Sequence, residues 1–157
     1  MIHFLSPLFP LEIQFAWRLL AAVILGALMG FERSLSGKHA GMRTYALVAM
    51  GSAAFVAIST LASFQLSLFT GINPLQIASS VVIGIGFIGS GLAAFHNGQP
   101  ELTTASGLWV AAAVGMACGF GFYLIAASAT ILALVVLSAL ARVEKIMRIR
   151  WGVEQKG

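Results

Sequence analysis

No charged residue stands between Arg43 and Glu101, and none between Glu101 and Arg142. A soluble domain carries about 25% charged residues. This chain of 157 residues carries 9%, with 59% hydrophobic residues and a mean hydropathy of +0.96. Long uncharged stretches of this kind cross a bilayer as helices, because lipid leaves the backbone no other partner for its N–H and C=O groups. The sequence therefore predicts an all-α, polytopic membrane helix bundle forming a single transmembrane domain over residues 1–157.

The spans are read from the apolar runs. Met1 to Glu12 has no basic n-region and no clean cleavage site behind its first apolar run, so a cleaved signal peptide is not expected. Helix one is placed at 13–31, with Trp17 at an interface. Glu32 to Arg43 forms a basic first loop. Helix two covers 45–64, Gln65 to Pro74 makes an uncharged turn, and helix three covers 76–95. The polar loop His96–Glu101 follows. The roughly 40 uncharged residues after it suit two minimal spans of about 20 each. With Gly119-Phe120-Gly121 as the turn, these are helix four at 103–118 and helix five at 122–140. The basic, partly apolar tail, 141–157, either extends helix five or lies along an anionic leaflet. Arg33, Lys38 and Arg43 in the first loop and the tail cluster must share the cytoplasmic side. Five transmembrane helices, with the N-terminus outside and the C-terminus cytoplasmic, satisfy both clusters; four would not.

Glycine marks the packing faces. Val81 to Gly91 contains Gly84, Gly86, Gly89 and Gly91. On a helical wheel its small residues oppose a bulky stripe of Val81, Ile85, Ile88 and Leu92. Small faces let helices approach closely in lipid, so helix three is expected at the centre, packed on at least two sides, and Gly86→Leu is expected to break the bundle. Gly26-x-x-x-Gly30 and Gly115-x-x-x-Gly119 are two further docking faces. The G-x-G-x-x-G pattern from Gly84 to Gly89 is not a dinucleotide loop, since it lies inside a membrane-length segment without a preceding soluble strand.

The charges limit the chemistry. There is no Asp, and the acids are Glu12, Glu32, Glu101, Glu144 and Glu154. Net charge is +4, grouped at two places, which is not a nucleic-acid footprint. Cys118 is the single cysteine and excludes an intrachain disulfide. Mg²⁺ favours near-octahedral oxygen ligands with one or two carboxylates, and Glu32 alone stands near the membrane core. A metal site from His39, His96, Glu32 and Glu101 has no ligand spacing behind it, no hydroxyl is paired with a base, and His3 is expected on the opposite side from His39 and His96. No enzyme, cofactor or resident metal is expected. Arg18, inside helix one on the face of Ala22, Leu25, Met29 and Glu32, either snorkels to headgroups or meets a polar group on another helix. At the cytoplasmic end, Glu32, Arg33, Lys38, Arg43, Thr44, Thr103, Thr104 and Ser106 are expected together. There Thr103 or Thr104 caps helix four, and an anion can meet its positive dipole end; ordinary solvated loop charges are the plain alternative.

Taken in order, several blocks resemble the MgtC/SapB family of bacterial inner-membrane proteins. They are Arg18-Leu19-Leu20-Ala21-Ala22 leading to Gly30-Phe31-Glu32-Arg33, then Ala40-Gly41-Met42-Arg43-Thr44 and Leu47-Val48-Ala49-Met50-Gly51. The glycine segment from Gly84 to Gly91 and Leu102-Thr103-Thr104-Ala105-Ser106-Gly107-Leu108-Trp109 complete the set. Tyr45 stands where His or Asn is usual, and Pro100-Glu101 where many members carry Arg-Gly. The chain given ends at Gly157, so the ACT-like cytoplasmic domain of longer relatives is expected to be missing. The resemblance implies Arg18, Glu32, Arg33, Arg43, Thr44, Thr103, Thr104, Ser106 and Trp109 as functional positions. It implies an inner-membrane location and complexes such as the ATP synthase as partners; membrane lipids and, from the small helix faces, a homo-oligomer such as a dimer are the other expected partners. It implies a non-enzymatic regulatory role under low magnesium or acid stress; an oligomeric carrier or channel for Mg²⁺ or another cation is the alternative.

Overall fold

Glycines in the left-handed region set two of the helix ends. The computed structural model describes residues 9–65, 73–95 and 102–151. The described elements are helical: α1 Phe9–Leu35, α2 Met42–Gln65, α3 Pro74–Phe95, α4 Leu102–Phe120, α5 Tyr123–Val135, a π-turn Val136–Leu140 and α6 Ala141–Trp151. Five of the helices are long and apolar enough to cross a membrane, the last running from Tyr123 to Trp151 without a break. The chain is a multi-pass membrane protein.

Helix α1 outruns the expected 13–31, so Glu32 and Arg33 lie in its last turn rather than in a loop. It ends where Gly37 takes φ +68°. There Gly37 N–H donates to the Ser34 carbonyl and Lys38 N–H to that of Arg33, the paired bonds that close a helix on a left-handed glycine. Helix α2 starts three residues earlier than expected, because Ser34 Oγ reaches across from α1 and accepts the Met42 N–H at 3.1 Å. A side chain at Gly41 would collide with that hydroxyl. Asn73 starts α3: its Oδ1 accepts the Leu75 N–H at 2.9 Å, with Pro74 in the first helical position, where a missing N–H does no harm. The loops 66–72 and 96–101, and residues 1–8 and 152–157, lie outside the described residues.

Helix four was expected to stop at Cys118; α4 runs on to Phe120 and turns on Gly121, at φ +85°. Gly121 N–H donates to Cys118 O at 2.9 Å and Phe122 N–H to Ala117 O at 2.8 Å. Beyond it the fifth span does not end at Leu140. The tail extends it as helix through Trp151.

The centre of the bundle is α4. It touches α1, α2, α3 and α5, and 56% of its span is buried, against 6% of the span in α3. This corrects the expectation for helix three. α3 rests on α4 and α2 through one side only, where Ile85 is buried and a methyl at Gly89 would meet Ala105 Cβ at an ordinary 3.6 Å. Gly84, Gly86 and Gly91 have open space where a side chain would be. Ile83 and Phe87, 75% and 81% exposed, point outward with Gly86. The physical reason is competition for the centre. The small residues of α4 are already pressed against α2, so α3, with bulky residues on its inner stripe, is held off. An apolar gap of about 620 Å³ remains between α2 and α3, lined by Val48, Ser52, Phe55, Val81, Gly84 and Ile88 among others.

The close crossings lie elsewhere. A methyl at Gly26 would sit 2.7 Å from the Tyr45 carbonyl oxygen, and one at Gly30 would sit 2.5 Å from Met42 Cα. These two glycines let α1 lie on the backbone of α2. On α4, a methyl at Gly115 would run into the Ala49 carbonyl, and one at Gly119 would come within 2.8 Å of Ala53 O and Val56 Cβ. Between lipid-solvated helices the association is driven by such packing rather than by hydrophobic transfer. Tyr45, Met29, Leu108, Val56 and Val114 fill the space between these crossings and are fully buried.

Candidate functional site at the Glu32–Arg33 end of the bundle

The last turn of α1 carries an ion pair between neighbours, and its arginine reaches the fifth span. Arg33, 4% exposed, donates from Nε and Nη2 to the two oxygens of Glu32 at 2.5 and 2.8 Å. Ser36 Oγ donates to Glu32 Oε1 at 2.9 Å. Arg33 Nη2 also donates to the Leu137 carbonyl at 3.3 Å. Leu137 belongs to the π-turn, whose i→i+5 bonding widens the helix locally and recurs at functional positions. A bidentate carboxylate pair is among the stronger charge-assisted contacts. Its burial means that neither member can be removed without stranding the other.

Two hollows flank Leu137. One, of about 330 Å³, is lined by Glu32, Leu35, Ser36, Ser138, Arg142 and Lys145 among others. The other, of about 310 Å³ and mostly apolar, lies between α1, α4 and α5 and takes in Met29, Thr103, Ser106 and Gly107. The first turn of α4 is thus a neighbour of the ion pair without touching it. Thr103 and Ser106 are exposed, and the Ser106 hydroxyl is spent on Leu102 O at 2.8 Å. Thr103 and Thr104 follow Leu102 inside the helix, so neither stands at the cap position expected of it. Thr104 is buried, and its carbonyl accepts the Tyr45 hydroxyl at 3.3 Å. That hydroxyl occupies the place of a side chain at Gly107.

The remaining expected positions separate. Arg43 is exposed and Thr44 half-buried, both in the first turn of α2; Lys38 and His39 are on the exposed loop before it. Trp109 is half-exposed on the outer side of α4. His96 and Glu101 lie outside the described residues.

Arg18 is at the other end of the bundle. Its Nη1 donates to the Gly119 carbonyl at 2.8 Å, and its guanidinium lies 4.6 Å over the Phe15 ring. The turn at Gly121 satisfies the carbonyls of Ala117 and Cys118, and Arg18 takes that of Gly119. The cation thus sits at the negative end of the α4 dipole, where positive charge is stabilising. Of its two sequence readings, contact with a polar group on another helix is the one observed; that group is a main-chain carbonyl.

Sequence reasoning missed two parts of the site. One is the Leu137 carbonyl, because nothing in Val-Leu-Ser-Ala-Leu announces a π-turn. The other is the place of Tyr45 as the bolt between α2 and α4, for which its unusual identity in the Arg-Thr block was the available signal.

The MgtC family profile matches residues 19–146. "Putative magnesium transporter YhiD" of Escherichia coli K12 is 42% identical over 127 residues, covering 79% of this chain and 59% of that protein. "Protein SrpB" of Synechococcus elongatus is 37% identical over 150 residues, covering 89% of this chain and 82% of its own length. "Protein MgtC" of Brucella abortus is 41% identical over 142 residues, with 87% and 57% covered. The chain thus spans less than two thirds of the YhiD and Brucella proteins. No solved structure matches it.

Proposed function

The chain belongs to the MgtC family, and from that membership we propose that it is a non-enzymatic regulatory protein of the bacterial inner membrane. It serves adaptation to low magnesium or acid stress by binding another membrane complex, such as the ATP synthase, or a second copy of itself. The end carrying Glu32, Arg33 and the basic residues around them faces the cytoplasm, as the positive-inside rule requires, and the chain's N-terminus lies outside. That end is the working surface.

The observation that carries this reading is the state of Glu32. Both of its oxygens are engaged by Arg33 and Ser36, so the acid nearest the membrane core is neutralised within its own turn. A Mg²⁺ ligand would need that carboxylate open. Behind it the middle of the protomer is filled by Tyr45, Met29 and Leu108 and closed by backbone-to-backbone crossings. The second reading, a cation carrier, draws on the printed name of the YhiD protein and requires an oligomer to assemble the path. Purified chain in liposomes with a Mg²⁺ indicator, paired with affinity purification from low-magnesium membranes, separates the two. The regulatory reading expects no flux that depends on Glu32, and a co-purifying membrane complex that is lost in Arg33→Gln. Robust Mg²⁺ flux abolished by Glu32→Gln would overturn it.

A further inference from the structure

The hollow beside the ion pair is lined by two further cations. Glu32 is matched by Arg33, which leaves Arg142 and Lys145 on the opposite wall. Among the described residues neither has a carboxylate partner, whereas Glu144, on the same helix, pairs with Arg148. Ser36 and Ser138 line the same hollow.

Its depth is set by the two helices that form it. From Ile13 to Glu32 along α1, and from Tyr123 to Arg142 along the fifth span, the rise is about 29 Å each at 1.5 Å per residue. A hydrocarbon core is about 30 Å thick. Both sides of the hollow therefore reach the headgroup level together. Leu35, Leu137 and Ala141 supply its apolar lining, and its roughly 330 Å³ lies at the small end for a ligand site.

We propose that this hollow is a binding site for the phosphodiester headgroup of an anionic glycerophospholipid. Arg142 and Lys145 hold the phosphate oxygens, and Ser36 and Ser138 face the headgroup's hydroxyls. A basic pocket between spans, at the level of the phosphates, is the arrangement that selects charged headgroups over zwitterionic ones. The site depends on neither the regulatory nor the carrier reading.

The test uses the full chain in detergent, supplemented with phosphatidylglycerol, phosphatidylethanolamine or inorganic phosphate, with bound lipid counted by native mass spectrometry. Phosphatidylglycerol is expected to be retained well above phosphatidylethanolamine. Arg142→Gln with Lys145→Gln is expected to weaken that retention by about 25-fold, taking each cation as worth about fivefold near a charged surface. Arg148→Gln with Arg150→Gln removes the same charge from the same helix outside the hollow and is expected to leave retention within twofold. All four residues are exposed, and a melting curve on each variant checks the fold. Equal retention of the two lipids, or an equal loss in both double variants, overturns the proposal. Displacement of the lipid by millimolar inorganic phosphate would make soluble phosphate the ligand and overturn it as well.

Discussion

Replacing Gly115 by alanine adds one methyl group where α4 lies on α2. The added carbon would overlap the Ala49 carbonyl and sit 2.8 Å from Ala49 Cα. Carbon atoms want about 3.5–4.0 Å, so the two backbones must separate by roughly 1 Å. They cannot separate locally. Gly119 is in the same contact one turn on, and Gly107 holds the Tyr45 hydroxyl two turns back. Overpacking of this kind costs about 1–3 kcal/mol. The better helix propensity of alanine returns at most about 1 kcal/mol, and that figure applies in water. A net loss of about 2 kcal/mol lowers the melting temperature by about 4–8 °C for a chain of this size. The control is Gly86→Leu, a far larger change at a position with open space around it, expected to stay within about 0.5 kcal/mol of the parent. Both are read as thermal unfolding in one detergent by fluorescence-detected size exclusion. Should Gly86→Leu collapse the protein while Gly115→Ala melts with the parent, α3 and not α4 is the packed centre, and the argument from the crossings fails.

Arg33→Met should lose about 3 kcal/mol by stranding Glu32, which is 16% exposed, and the double variant with Glu32→Met should recover part of it; a thermal double-mutant cycle showing no coupling would contradict the pair. Arg18→Gln should lose about 1.5–3 kcal/mol with the charged bond to Gly119 O, and Arg18→Lys should restore some of it, as melting curves would register. Tyr45→Phe should lose about 1 kcal/mol through the bond to Thr104 O; a more stable variant would show that the hydroxyl is not needed there. If that end lies in the cytoplasm as proposed, a fluorescent protein fused after Gly157 should mature and glow, and a periplasmic phosphatase at the same site should stay inactive.

Number and approximate extent of the spans were legible because lipid enforces them: a run of uncharged residues has one solution. Helix ends were less so. The α1–α2 corner depends on a hydroxyl, Ser34, that belongs to one helix and caps the next, a relation between elements that a local pattern does not contain. The glycines taught the same lesson. Gly26, Gly30, Gly84, Gly86, Gly115 and Gly119 look alike as small residues on helical faces. Which of them meets a neighbour depends on which helix has already claimed the middle. The G-x-x-x-G pairs in α1 and α4 lie against α2; the denser cluster in α3 mostly faces open space. Of the site, Glu32 and Arg33 were visible as the start of the basic first loop and as part of a family block. The arginine's carbonyl partner in the fifth span was not, since a main-chain atom leaves no mark in the letters.

At Gly115 the seam between α2 and α4 is main chain on main chain, and around it Tyr45 and Val56 fill the space to the full. These two helices can only travel together, as a stiff pair, with α1 seated on them by the same means. α3 meets α2 across an apolar gap of about 620 Å³ instead. When the surrounding bilayer thins, bends or admits a neighbour, the third crossing is the one with room to yield, and the other spans form the frame against which it moves.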